Sequence, residues 1–194
     1  AYVQKEPGDP VRFLLASNSP RRRELLANLI PEFDVEPSRF EESGAGLSAF
    51  ETARANACGK AREVASRFPD CAVLGADTVV SLDGNVLGKP KNEEDACAIL
   101  RSLSARTHTV YTAICLIANG REQTDVVATQ VTFSPLSEEL IARYVASGLP
   151  MDKAGAYGIQ DGYPLVERFE GSYSGVVGLP LERLRAMLRE AKLI

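Results

Sequence analysis

The sequence predicts an α/β protein in which one mixed, twisted β-sheet is flanked by helices, with two lobes and a cleft between them. Segments with the short apolar pattern of buried strands alternate along the chain with segments spaced as amphipathic helices. In the middle of the chain, two long strand-like segments follow each other directly, which indicates a paired insertion into that alternation. The chain has 194 residues, 45% of them hydrophobic, which suffices for one sizeable core.

The N-terminal part of the chain predicts a leader, a strand and a capped helix. Residues 1–10 are polar and contain proline and glycine, so we expect a flexible leader ahead of a single domain at 11–194. The apolar run at 11–16 suits a buried strand. Ser19 then fits the N-cap of a helix, and Pro20 fits its first position.

The rest of the chain continues the alternation of strands and helices. The apolar, β-branched run at 72–82 is the candidate for the central strand, and Asp83 with Gly84 is a turn signal that follows it. The other predicted elements are strands at 33–37, 85–87, 107–118 and 125–133, short strands and loops at 155–178, and helices at 21–30, 47–68, 93–104 (capped by Asn92), 138–147 (between Ser137 and Gly148) and 181–192.

Composition narrows the class of function. With 22 Lys and Arg against 26 Asp and Glu, the formal net charge is -4, whereas nucleic-acid binders are more often basic. We therefore expect no nucleic-acid partner, and any anion site must be a local concentration of positive charge. No run of about 18 apolar residues occurs, so we expect no membrane association through a spanning helix.

Cysteine and histidine usage argues against a zinc or thiol centre. The four cysteines form no C-x-x-C pair, and His108 is the single histidine. We interpret Cys58, Cys71, Cys97 and Cys115 as reduced, mostly buried thiols of a cytoplasmic protein. His108 has no G-x-S-x-G nucleophile motif to serve, so we interpret it as a structural, partly buried residue at the start of a strand.

The segment "SNSPRRRELL" could bind an anion. A strand leads into small polar residues and then into a helix N-terminus, whose free N–H groups and dipole favour negative charge. Ser17 and Ser19 could donate hydroxyl hydrogen bonds, and Arg21 and Arg22 could grip phosphate at two points. The alternative is a capped helix whose basic first turn is simply solvated.

The segment "LGADTVV" places Asp77 in or at the end of an apolar strand. An unpaired buried carboxylate is costly, so we expect Asp77 to meet a metal, a cation or hydrogen-bond donors. A metal ligand or a general base would satisfy this expectation. The alternative is an aspartate that only caps a turn.

Three further places could contribute to such a site. Lys89, held between Gly88 and Pro90, could direct a compact charge at a phosphate, although a solvated loop lysine is more common. Gln160 closes the glycine-containing segment "DKAGAYGIQ" and offers both a donor and an acceptor, which suits the edge of a base. Glu42 could join Asp77 in holding Mg²⁺, because that ion prefers oxygen ligands.

Taken together, these motifs resemble the Maf family of nucleoside triphosphate pyrophosphatases. The matching segments are 17–22 ("SNSPRR"), 75–80 ("GADTVV"), 88–90 ("GKP"), 152–160 ("DKAGAYGIQ"), "LSARTHTVYT" and "GSYSGVVGLPL". They occur in the family's order over nearly the whole chain after Pro10. The resemblance implies a fold similar to that of the inosine triphosphatases.

The resemblance also implies roles for individual residues. Asp77 corresponds to the catalytic acid, which accepts a proton from water or acts through a bound divalent cation, Mg²⁺ or Mn²⁺. Glu42 corresponds to a second acid that holds this metal. The phosphate-binding positions are Ser17, Ser19, Arg21, Arg22, Lys60 and Lys89, and the specificity positions are Arg21, Thr78 and Gln160.

The intact "DKAGAYGIQ" is similar to the branch directed at dTTP and UTP, so the resemblance implies these substrates and modified pyrimidine triphosphates. Gly88 departs from that branch, which often has Glu there, and leaves the substrate open. One alternative is a house-cleaning pyrophosphatase for modified or purine triphosphates such as 7-methyl-GTP. Another is a non-catalytic nucleotide-binding regulator of cell division. The resemblance also implies a homodimer.

Overall fold

The computed structural model describes residues 11–194, and within them one mixed sheet organises the chain. Its strands are β1 (Phe13–Leu15), β2 (Asp34–Val35), β3 (Ala72–Leu82), β4 (Asn85–Leu87), β5 (Thr107–Ala118), β6 (Arg121–Phe133) and β7 (Val166–Glu170). The order across the sheet is β2-β1-β3-β5-β6-β7, with β4 paired to β3. β1 runs parallel to β2 and β3, and the other pairs are antiparallel. The predicted α/β class is confirmed, while the predicted leader lies outside the described residues.

The helices are α1 (Pro20–Leu26), α2 (Ala49–Arg67), α3 (Glu93–Leu103), α4 (Glu138–Ala146), α5 (Tyr173–Val177) and α6 (Leu181–Glu190). The predicted caps are confirmed: Ser19, Asn92 and Ser137 each accept a hydrogen bond from a backbone N–H in the first turn of the helix that follows. Ser172 caps α5 in the same way, inside the region where the sequence predicted strands and loops.

Hydrophobic contacts divide the core into two lobes. In the first lobe, α1 and α6 pack on one face of β1, β3 and β5, and α2 packs on the other. In the second lobe, α3 and α4 pack against the far parts of β3, β5 and β6. Because β3 and β5 contribute to both lobes, the cleft lies where these strands pass from one to the other.

The long helix α2 lies unusually close to β3. Ala57 and Ala61 are fully buried against the strand, and a Cβ built on Gly75 would lie 2.4 Å from the Ala57 carbonyl oxygen. The small residues on both elements therefore allow the helix to approach the sheet. This short spacing brings the polar face of α2 within reach of the middle of β3.

The remaining fold-level predictions concern cysteine, histidine and membrane association. Cys58 and Cys115 are buried, whereas Cys71 and Cys97 are half-buried. His108 is buried, and its Nε2 lies 2.6 Å from the Tyr157 hydroxyl. Burial lowers the pKa of His108 to about 4, so it stays neutral, as a structural residue would. Between residues 11 and 194, no helix combines the length and the apolar character needed to cross a membrane.

Candidate active site

Asp77 lies at the centre of β3, where the strand leaves the first lobe. It pairs in register with Ala113 of β5, and its side chain is buried against α2. Asn56 donates its side-chain amide to Asp77 Oδ2 at 3.2 Å, and Lys60 Nζ lies 3.5 Å from Oδ1. The acid therefore has the donors that its burial requires, and both come from the closely packed helix.

Lys60 connects Asp77 to Glu42. Its ammonium forms an ion pair with Glu42 Oε1 and also donates to the Ala76 carbonyl oxygen at 3.3 Å. The side chain of Glu42 is 54% exposed, whereas that of Asp77 is 10% exposed. The Lys60 ammonium thus lies between the buried carboxylate of Asp77 and the exposed carboxylate of Glu42, and both acids line the same cavity.

The two carboxyl groups have pKa values shifted in opposite directions. Burial is the main influence on Asp77, and with the nearby charge of Glu42 it raises the pKa despite the opposing charges of Lys60 and Arg22. Burial would also raise the pKa of Glu42, but the hydrogen bond and charge of Lys60, with Lys89 and Arg22, lower it. Glu42 therefore stays ionised, while Asp77 is the better proton acceptor.

The turn after β1 forms the basic side of the cavity. Ser19 caps α1, and Ser17 Oγ accepts from the Ser19 N–H at 3.2 Å. Arg22 donates through Nε to the Gly178 carbonyl oxygen at 2.8 Å and through Nη2 to Thr78 Oγ1 at 3.0 Å. Burial lowers the pKa of Arg22, partly offset by Asp77. The Arg22 guanidinium is therefore fixed in place by protein partners at the edge of the cavity.

Thr78 faces the side of the sheet opposite to Asp77, as alternation along a strand requires. Its hydroxyl lies 3.1 Å from that of Thr112, which in turn donates to the Gly175 carbonyl oxygen at 2.6 Å. These hydrogen bonds connect Arg22, β3, β5 and α5 in one chain. Thr78 is consequently held by its neighbours as well as lining the cavity.

All the residues that the sequence assigned to the site line one cavity of about 700 Å³. They are Ser17, Ser19, Arg21, Arg22, Glu42, Lys60, Asp77, Thr78, Lys89 and Gln160. Arg21 donates through Nη1 to Asp152 Oδ2 at 3.0 Å, while Lys89 and Gln160 are exposed. The volume falls within the range of small-molecule sites in proteins, roughly 300–1,000 Å³.

Several residues of the site were not identified from the sequence. Asn56 lies one helical turn before Lys60, so the i, i+4 spacing of two polar residues in an alanine-rich helix was an available signal. Asp152, the partner of Arg21, and the buried Lys153 also line the cavity. Asp152 depends on a contact with a distant part of the chain, which no local pattern indicates, whereas Lys153 contacts Leu149 and Asp161 close to it in the sequence.

The donor set fits a divalent cation of the magnesium type. Mg²⁺ is usually held by one or two carboxylates together with substrate phosphates, and Asp77 and Glu42 offer two carboxylates around one cation position. Ligand atoms of Cys58, Cys115 and Glu122 also lie within 4.8 Å of one another. That group offers thiols, which suit softer metals, and its carboxylate is paired with Arg62.

Comparisons with known proteins show similarity over most of the chain. Named dTTP/UTP pyrophosphatases are similar to the chain: that of Thermococcus kodakarensis is 50% identical (87% of this chain, 91% of the relative), and that of Dictyoglomus thermophilum is 46% identical (90% and 93%). The solved Ham1 protein of Staphylococcus aureus matches 62% of this chain and 69% of its own at 20% identity and a TM-score of 0.44, too low to support an argument.

The family comparison covers most of the described structure. The Maf-like protein family matches residues 12–191, which include every residue assigned to the cavity. The match extends from β1 through α6, so it accounts for both lobes as well as the cleft. On this coverage, together with the identity to the named relatives, the chain belongs to the Maf-like protein family.

Proposed function

We propose that this protein is a nucleoside triphosphate pyrophosphatase that hydrolyses dTTP and UTP to the monophosphate and pyrophosphate. The observation that carries the proposal is the placement of Asp77 and Glu42 around the Lys60 ammonium, in a cavity whose rim is basic. The relatives described above are named for this substrate pair and share 46–50% of their residues with the chain.

The cations of the cavity suit a triphosphate. Arg21, Lys60 and Lys89 line the cavity beside the N-terminus of α1, whose dipole favours an anion. In an acidic protein these side chains concentrate positive charge at one place. They neutralise the charge of bound phosphates and the charge that develops on the leaving pyrophosphate.

Asp77 accepts the proton of the attacking water. Its raised pKa, which burial causes first, makes the carboxylate more basic than an exposed aspartate. The Asn56 amide fixes one carboxylate oxygen, so the other is directed toward Lys60 and the cavity. Lys60 keeps Glu42 and Asp77 together by balancing their charge.

Mg²⁺ or Mn²⁺ would be held by Asp77 and Glu42. Such an ion, when bound, lowers the pKa of a coordinated water and neutralises phosphate charge. The Lys60 ammonium lies between these carboxylates and shows where they stabilise positive charge.

The base binds at the side of the cavity lined by Arg21, Thr78 and Gln160. The Gln160 side chain presents a donor and an acceptor, which match the N3–H and keto oxygen of uracil and thymine. Modified pyrimidines that keep this edge would bind in the same way. The absence of a side chain at Gly88 leaves open space beside Lys89.

A nucleotide panel tests the proposal. The purified protein is incubated with dTTP, UTP, CTP, ITP and 7-methyl-GTP, with Mg²⁺, with Mn²⁺ or with a chelator, and monophosphate and pyrophosphate are quantified by ion-exchange chromatography. We expect dTTP and UTP to be hydrolysed at least tenfold faster than the others, and only with metal. Preference for ITP or 7-methyl-GTP would support the house-cleaning alternative, and no hydrolysis would support the regulator.

Two further expectations belong to this proposal. The resemblance to the family supports a homodimer, and the rings of Phe169 and Tyr173, both exposed and 5.9 Å apart, give the second lobe an apolar surface. Light scattering coupled to size-exclusion chromatography measures the mass in solution, for which we expect twice the chain mass of 20.9 kDa. The cytoplasmic location stays a prediction from composition.

A further inference from the structure

A second buried lysine–carboxylate pair lies beside the cavity, which its lysine lines. Lys153 Nζ lies 3.0 Å from Asp161 Oδ2 and donates to the Leu149 carbonyl oxygen at 2.7 Å. The side chains of Lys153 and Asp161 are 8% and 7% exposed. Tyr144 of α4, which is fully buried, donates its hydroxyl to the same Asp161 oxygen at 2.6 Å.

The Tyr144 hydroxyl also holds the backbone of the cavity wall. It accepts the Gly158 N–H at 2.9 Å while it donates to Asp161. Burial, and then its hydrogen bond to Asp161, raise the pKa of Tyr144 above its ordinary value, so the hydroxyl keeps the proton that it donates. The Tyr144 hydroxyl thus binds both Gly158 and Asp161, which lie three residues apart in the chain.

Gln160 lies between those two positions. Its neighbour Asp161 also donates its backbone N–H to the Gly158 carbonyl oxygen at 3.1 Å, which closes a tight turn around residues 159 and 160. This turn belongs to no strand, so a sheet ladder does not fix it. Its position depends on the side-chain network beneath it.

Glycine is required at the point where the turn meets the network. A Cβ at Gly158 would lie 2.8 Å from Lys153 Cε and 2.9 Å from Asp161 Oδ2. The backbone therefore lies directly against the ion pair, with no room for a side chain between them. The turn therefore packs directly on the network.

We propose that Tyr144, Asp161 and Lys153 are positioning residues that set the direction in which Gln160 faces the nucleobase, and thereby set the preference for uracil and thymine over cytosine. This inference rests on the proposed function. The Gln160 amide carries the acceptor and the donor that the N3–H and keto oxygen of uracil and thymine require. A fixed turn holds this amide at one distance from the edge of the base, whereas a loosened turn weakens the contact that favours uracil and thymine.

The test compares Tyr144→Phe with Tyr163→Phe. Phenylalanine at 144 keeps the ring but removes the hydroxyl that joins Gly158 to Asp161. The ring of Tyr163 packs 4.7 Å from that of Tyr144, so its variant also removes a hydroxyl in the same place but outside the network. Asp161→Asn is a second variant, which keeps the side-chain shape and removes the charge.

Steady-state kinetics with UTP and CTP measure discrimination. For Tyr144→Phe we expect the ratio of kcat/KM for UTP to that for CTP to fall about tenfold, through a higher KM for UTP with kcat nearly unchanged. Asp161→Asn should change the ratio in the same direction, and Tyr163→Phe should leave it as in the wild type. An unchanged ratio in Tyr144→Phe, with only a lower melting temperature, would show that the network is structural and overturn the proposal.

Hydrogen exchange of the ligand-free protein supplies a readout that does not depend on activity. We expect amides in the peptide covering residues 154–162 to exchange about tenfold faster in Tyr144→Phe, but not in Tyr163→Phe. Equal exchange in all three proteins would overturn the proposal whatever the kinetics. Faster exchange in a protein that hydrolyses neither UTP nor dTTP would instead refute the proposed function and leave the anchoring of the turn intact.

Discussion

Lys60 with Asp77 and Lys153 with Asp161 are two buried lysine–aspartate pairs beside one cavity, and they differ in how completely the protein satisfies them. The Lys153 pair is closer, at 3.0 Å against 3.5 Å, and is joined by the Tyr144 hydroxyl. Each lysine also has an exposed second carboxylate: Lys60 pairs with Glu42, and Lys153 lies 3.6 Å from Asp152. The cavity is lined by Asp77 but not by Asp161. The Lys153–Asp161 pair, here called the enclosed pair, therefore holds the turn that carries Gln160, whereas the Lys60–Asp77 pair, here called the open pair, remains available for water, metal and phosphate.

The largest effect should come from breaking the open pair. Asp77→Asn keeps the hydrogen-bonding shape but removes the proton acceptor, so we expect kcat for UTP to fall about 10³-fold. The free energy of unfolding should not fall, because a buried charge is removed. Asp125→Asn, at a carboxylate bound to Arg183, is the matched control and should retain activity. Wild-type turnover by Asp77→Asn would refute the catalytic assignment.

Breaking the enclosed pair should lower the stability of the fold, in addition to the change in discrimination expected above. Asp161→Leu removes the nearer carboxylate from the buried Lys153 ammonium and leaves only Asp152, at 3.6 Å, so we expect the free energy of unfolding to fall by about 3 kcal/mol in urea denaturation. Adding Lys153→Met should recover most of the loss, because the buried charge is gone. If Lys60→Met, at the open pair, lost as much stability as Asp161→Leu, the contrast between the pairs would be wrong.

A smaller effect is expected in the pH dependence of stability, which should differ in sign between Asp77 and Glu42. Burial raises the pKa of Asp77, so the native state binds its proton more tightly than the unfolded chain. Its contribution to stability is therefore present below the ordinary aspartate pKa and is lost as pH rises through the raised value. Urea titrations of metal-free protein at several pH values should show that Asp77→Asn lacks this loss.

Glu42 should show the opposite sign. Although burial opposes it, Lys60 lowers the pKa of Glu42, so its contribution is present above the ordinary glutamate pKa and is lost as pH falls through the lowered value. In the same titrations, Glu42→Gln should be less stable than the wild type near neutral pH and should approach it in acid. The same sign for both variants would contradict the described electrostatics.

The smallest effect should come from an ion pair in solvent. Arg62 forms two hydrogen bonds to Glu122 at 2.7 and 2.8 Å, but its side chain is 63% exposed. We expect Arg62→Gln to change the free energy of unfolding by less than about 1 kcal/mol and to leave UTP hydrolysis unchanged. A larger loss would mean that short distance alone, without burial, determines the strength of these pairs.

Local sequence patterns predicted much of the sheet. The bounds predicted for the strands at Ala72–Leu82, Asn85–Leu87 and Thr107–Ala118 agree with the structure, because apolar runs ended at clear turn residues. β6 begins earlier than predicted, at Arg121, since its first half is polar and half-exposed. α1 ends at Leu26, four residues before the predicted end at Ile30.

A site residue could be predicted where its type is unusual for its segment. It could not be predicted where its role comes from a contact with another part of the chain. Asp77 in an apolar strand was such an anomaly. No role was predicted for Lys153 or Asp161, because Tyr144, the partner of Asp161, lies on α4 and its ring fits the apolar face of that helix. α5 was missed because its five residues are too short for a helical period.

β3, β5 and β6 run without interruption through the molecule, in ladders of up to twelve register pairs. The two lobes that bound the cleft therefore share continuous strands and are not connected by a loop. We expect such a sheet to resist opening, because it can change by small changes of twist but has no hinge. We therefore expect the cleft to keep nearly one width, so that a substrate has to fit an opening already set by the folded sheet.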